Sequence, residues 1–147
     1  MAIRELILND IETSLVAITV AGGFNNNIST VTRESEDIEH YVKADYPLAI
    51  ISWSDEEKEG EDIGYDCVDT FLTVIIRGGV YATTAIETAL NLFLDDIEKA
   101  LATDPERSGT ADLTAPIGIK VYQGPREHTL IFDFTFLVKY AYARANP

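Results

Sequence analysis

From Leu130 to Tyr142 every second residue is large and apolar: Leu130, Phe132, Phe134, Phe136, Val138, Tyr140 and Tyr142. That alternation is the signature of a β-strand with one buried face. Counted from His128 to Arg144 at about 3.3 Å per residue, the strand spans about 55 Å, against a radius of gyration of about 15 Å for a compact domain of this length. A strand so long either bends or reaches beyond its own domain to meet another chain.

Two segments switch to the helical period. Ile3, Ile7, Ile11 and Leu15 recur every four residues, with Leu8 and Ile18 widening the stripe and Arg4, Glu5, Asp10 and Glu12 between them, which predicts an amphipathic helix over 2–18. Ile86, Leu90, Phe93, Leu94, Ile97 and Leu101 make a second stripe over 84–103. Thr84 and Glu87 have capping-box spacing at its start, and Asp104-Pro105 stops it.

Shorter strands are expected over Ile28–Arg33, Leu48–Trp53, Asp66–Arg77 and Ile117–Tyr122. The Asp66–Arg77 strand has Val68, Leu72, Val74 and Ile76 on one face and Phe71 and Ile75 on the other, which places it centrally in a sheet. Gly22-Gly23, Asn25 to Asn27 and Gly78-Gly79 read as turns. Gln123 to Glu127 closes a final hairpin, Glu106 to Ala115 is a polar loop, and Glu34 to Asp45 is an irregular connection that could hold a helical turn. The order predicts one α+β domain over 1–147: an antiparallel or mixed sheet of about five strands with both helices packed on one face.

Composition narrows what such a domain can do. The 147 residues are 46% hydrophobic, enough for one core. A net charge of -14 opposes both a sequence-independent grip on nucleic acid and attraction to an anionic membrane. The lone cysteine, Cys67, rules out an intrachain disulfide framework. No apolar run approaches the length of a membrane span, and the polar residues among Met1 to Asp10 break any secretory signal core, so the product is expected to be soluble and intracellular when made.

Few residues suggest chemistry. Asp55, Glu57, Glu59, Gly60 and Asp66 fall at positions of a calcium-binding EF-hand loop, but Glu replaces shorter ligands, Asp replaces the bidentate Glu, and strands flank it where helices are required. The acidic stretch Asp55, Glu56, Glu57, Lys58, Glu59, Gly60, Glu61, Asp62 reads instead as a solvated hairpin loop. His40 and His128 read as surface residues and Cys67 as a small buried thiol. Asp95-Asp96 on the second helix are expected to face water. No catalytic residue, metal site or cofactor is assigned; an enzyme would need His40, His128 or Cys67 to meet carboxylates in a pocket.

The stretch ALNLFLDDIEKALATDP, from Ala89 to Pro105, resembles the second helix of tail terminator and minor tail proteins from long-tailed bacteriophages, where it follows a strand like Phe71 to Arg77. An N-terminal helix, the segment containing Val31-Thr32-Arg33, a Pro47-Leu48-Ala49-Ile50 strand ahead of an acidic loop, and an aromatic closing strand agree in order. The resemblance implies a virion protein that forms a ring, of six copies, on the head-proximal end of the tail tube, stopping its polymerisation and joining the neck. DNA would pass through the channel, which strong acidity suits. Asp55, Glu56, Glu57, Glu59, Glu61 and Asp62 would then face the lumen or a tube protein, with Arg33, Arg77 and Lys120 as partners for acidic neighbours. The closing strand's end, with Tyr140, Tyr142 and Arg144, would meet the next subunit. A neck or tail-completion protein is the alternative, followed by a small α+β binding module that would stay monomeric and hold a ligand.

Overall fold

The computed structural model describes residues 2–34, 37–59 and 67–143. Helix α1 (Ile3–Val16) is followed by strands β1 (Thr30–Thr32), β2 (Leu48–Glu59) and β3 (Cys67–Tyr81), helix α2 (Ile86–Ala102), and strands β4 (Leu113–Gln123) and β5 (Thr129–Ala143). The fold is α+β, with a five-stranded mixed sheet in the order β1-β2-β3-β5-β4. Among the described residues only the β1–β2 pair is parallel. As the two-faced apolar pattern predicts, β3 is the central strand.

The inner sheet face carries Val74, Ile76, Phe134, Phe136 and Val138, all buried against the helices. From α1 come Ile7, Leu8, Ile11 and Leu15; from α2 come Leu90, Phe93, Leu94, Ile97 and Leu101. Phe93 meets Phe132 edge to face with ring centroids 5.8 Å apart. The length of β5 is met within the chain: β3 is equally long, and the two pair from Cys67 with Ala143 to Tyr81 with Thr129.

The expected polar loop ends at Asp112, because Leu113 to Ala115 already pair with β5 as the start of β4. Three larger sequence expectations are corrected. Gly78-Gly79 is not a turn but part of β3, which runs on to Tyr81. A Cβ at Gly78 would stand 2.3 Å from the Leu48 carbonyl oxygen and 2.7 Å from the Phe132 ring, while one at Gly79 would meet the Tyr46 ring at 2.7 Å. Close approach on both faces, not turning, requires glycine there. Secondly, Asp55 to Glu59 are not loop residues; they continue β2, pairing from Asp55 with Thr73 to Glu59 with Asp69 after a bulge at Trp53/Asp55. Ladder bonds to β3 and the inward anchoring of Glu56 outweigh the low strand propensity of an acidic run. Thirdly, Thr84 and Glu87 form no capping box: the N-cap is Ala85, left-handed with φ of 50° and no side-chain cap bond, so Thr84 lies one residue too early.

The connection expected to be irregular contains two 3₁₀ turns, Ile38–His40 and Lys43–Asp45. It lies over the outer sheet face, where Ile38 and Tyr41 pack on a small second core of Tyr46, Leu48 and Ile50. The Arg126 Nε donates to the Tyr41 carbonyl at 2.8 Å, tying this strap to the β4–β5 hairpin.

Candidate interaction surfaces

The densest polar constellation closes one end of the inner face. Register places Glu56 beside Leu72 and Lys58 beside Thr70, on the same face as Tyr140 and Tyr142. The first turn of α1 brings Arg4 down onto them. Arg4 donates from Nη2 to Glu56 Oε2 at 2.5 Å and from Nε to Oε1 at 3.2 Å, the Tyr140 hydroxyl donates to Oε1, and the Glu56 side chain is only 7% exposed. Burial pushes the Glu56 pKa up, but the hydrogen bonds from Arg4 and Tyr140 outweigh it and hold the carboxyl below its ordinary range. Burial and the neighbouring Glu56 push the Tyr140 phenol up. The Arg4 guanidinium also lies 4.6 Å from the centre of the Trp53 ring, and Lys58 Nζ donates to the Tyr142 hydroxyl at 2.7 Å.

This geometry settles where several candidate residues sit. Tyr140 and Tyr142 are 3% and 9% exposed and belong to the subunit's own core, beside Thr70 and Val68. Among the acidic candidates, Glu56 is inward and neutralised within the chain, whereas Asp55 and Glu57 are exposed on the outer face. Glu61, Asp62 and Arg144 lie outside the described residues, as do the side chains of Glu59 and Cys67. The extended backbone from Asp55 to Glu59 does not wrap around an ion in the manner of an EF-hand. Among the described residues no group of three or more His, Cys, Asp or Glu could hold a metal ion.

Two of the three proposed basic partners are engaged at home. Arg33 grips Glu5 through both Nη atoms and donates to Asn9 Oδ1 at 2.8 Å, which ties the end of β1 to α1. Arg77 holds Asp133 across the β3–β5 pair at 2.7 and 3.0 Å. Those bonds lower the Asp133 pKa and raise that of Arg77. Lys120 is exposed on β4, opposite Asp133 in register, and its charge also helps to lower the Asp133 pKa. His40 and His128 are exposed; the His128 ring meets Tyr81 edge to face at 6.1 Å.

Asp95 faces water, but Asp96 does not. At 1% exposure, Asp96 accepts from the backbone N–H and side-chain amides of both Asn25 and Asn26 at 2.9 to 3.1 Å, pinning the α1–β1 connection onto α2. A legible signal existed: Asp96 stands three residues after Phe93 and four before Ala100, inside the apolar stripe. Arg107 lies in the segment expected to be a polar loop. It is fully buried, donates to Ser14 Oγ at 3.1 Å and to the carbonyls of Leu101 and Asp104, and so caps the end of α2.

The outer sheet face is covered by the strap at one end and open elsewhere. Phe71, Ile75 and Leu137 are half-buried along its centre, and Leu113 and Ile117 beside them are 48% and 57% exposed. A shallow groove of about 460 Å³ runs between Ile75, Ile117, Lys120, Tyr122, Asp133 and Thr135. A second, of about 430 Å³, is lined by Ile38, Arg77, Tyr122 and Pro125. Such a face offers contact area, with Lys139 over the Phe71 ring at 5.9 Å and exposed Lys120 opposite Asp133. No helix among those residues is long and apolar enough to cross a membrane. Compared with known proteins, the chain matches no family and no curated relative.

Proposed function

We propose that this chain is a structural, non-enzymatic subunit of a long bacteriophage tail: a terminator that assembles as a ring on the head-proximal end of the tail tube, ends its polymerisation and presents a surface to the neck. The observation that carries this reading is the outer sheet face, whose apolar centre at Phe71, Ile75 and Leu137 continues into exposed Leu113 and Ile117. Exposed apolar area of this kind on a charged chain marks a face that a protein partner covers. Stacking on a tube or neck protein would cover it. The -14 charge supports the same reading, because a channel that passes DNA must not adsorb it. The stretch from Ala89 to Pro105, most of it in α2, and the order of elements around it supply the resemblance to tail terminators.

Polymerising a tail-tube protein with and without the chain tests this. The expected result is tubes of restricted length with added density at one end in negative-stain micrographs. Unlimited tubes with bare ends, and no co-sedimentation of the chain, would remove the proposal.

A further inference from the structure

The sheet has two open edges that differ in kind. On one side β4 is outermost, with β5 along its inner side and no strand beyond it among the described residues. Its backbone groups on that side are a template for another strand. Pro116, the bulge at Pro116/Gly118 and Lys120 guard its first part, but beyond the bulge the edge is largely apolar: Ile119, Val121 and Tyr122 are 47%, 50% and 43% exposed. It is also the one long strand without an acidic residue, Lys120 being its only charge. In a chain of charge -14, repulsion between copies is least along β4.

The opposite edge is acidic. Strand β1 covers only Leu48 to Ile50, so the rest of β2, from Trp53 onward, has no strand on its outer side among the described residues. That stretch presents Asp55 and Glu57, both exposed, while Glu56 turns inward to Arg4, and Trp53 is 43% exposed. Three successive antiparallel steps, β2 to β3 to β5 to β4, make β4 run opposite to β2. A second copy placed beside the first in the same orientation therefore offers its β2 antiparallel to β4, the hydrogen-bonding sense already used in most of the sheet.

We infer that the β4 edge of one copy pairs with the free β2 edge of the next, joining subunits head to tail. The occupant of each edge is a second copy of this chain. Pairing β4 with β4 would set Lys120 near Lys120, and pairing β2 with β2 would oppose two acidic runs; only the unlike pairing matches charge with charge. Unlike edges make a heterologous contact, which closes into a ring when the rotation per subunit divides a full turn. The inference rests on the ring-forming reading above and names the surfaces that make the ring.

Two variants and their mixture test it, with far-UV circular dichroism confirming that each is folded. Ile119→Asp/Val121→Asp disables the β4 edge, and Asp55→Lys/Glu57→Lys reverses the β2 edge. By sedimentation velocity the wild type is expected to assemble, each variant alone to remain monomeric, and the mixture to give a dimer through the one intact β4–β2 contact. If the β4 variant does not fold, Lys120→Glu, a single exposed change, should still weaken assembly by about tenfold. Assembly of either variant to the wild-type size overturns the edge assignment while leaving the ring reading standing. A β2-edge variant that dimerises by itself would show β4 pairing with β4 and also overturn it. A wild type that never assembles removes the ring reading as well.

Discussion

The Tyr140 hydroxyl donates to Glu56 Oε1 across the end of the inner sheet face, and Arg4 donates to both oxygens of the same carboxylate. Three elements, α1, β2 and β5, are thereby fastened at one carboxyl group. Tyr140→Phe leaves an almost buried acceptor short of one donor and is expected to cost about 1–3 kcal/mol in chemical denaturation. An unchanged midpoint would show that the bond adds nothing.

Stability should depend on pH at both extremes. Glu56 and Asp133 have folded-state pKa values lowered from their ordinary 4.5 and 3.8, by hydrogen bonds that outweigh burial. Their contribution is complete above those ordinary values and is lost as pH falls through the folded ones, so the denaturation midpoint should drop below about pH 4. Glu56→Gln should flatten that drop. Burial raises the phenols of Tyr140 and Tyr46, so the stability they confer is complete below about pH 10 and lost as pH rises further. Tyr140→Phe should reduce this alkaline loss.

Glycines in two strands should respond in opposite ways. Gly78→Ala forces a methyl against the Leu48 carbonyl and the Phe132 ring and is expected to destabilise by about 3 kcal/mol or more, whereas Gly118→Ala meets nothing within 4 Å and should stay within about 0.5 kcal/mol of wild type. Thermal melts of the two proteins decide it.

Removing Asp96 should loosen a connection rather than a helix. Asp96→Ala strands four donors from Asn25 and Asn26, with an expected cost of about 2–4 kcal/mol. Hydrogen exchange should quicken at the amides of Asn25 and Asn26 while α2 stays protected.

Periodicity made the architecture readable: the alternation from Leu130 to Tyr142 and the stripe from Ile86 to Leu101 correspond to β5 and α2, with apolar phases facing the core as expected. What it could not show were features set by distant neighbours. Gly78-Gly79 looks like a turn until Phe132 and Tyr46 are seen packed on its two faces. The acidic run looks like a loop until Arg4 and Tyr140 are found around Glu56. Arg107 carries no local sign that it reaches the end of α2. The same limit holds for surfaces. Arg33 and Arg77 look like free cations in sequence and are occupied by Glu5 and Asp133, while the open β4 edge emerges only from strand order.

The most direct test of the account is the mass of the purified chain in solution, measured by native mass spectrometry and sedimentation across micromolar concentrations. Assembly through unlike edges predicts one discrete closed species, a whole-number multiple of the 16.3 kDa subunit, with a hexamer implied by the resemblance to tail terminators. A protein that stays monomeric throughout that range would contradict it.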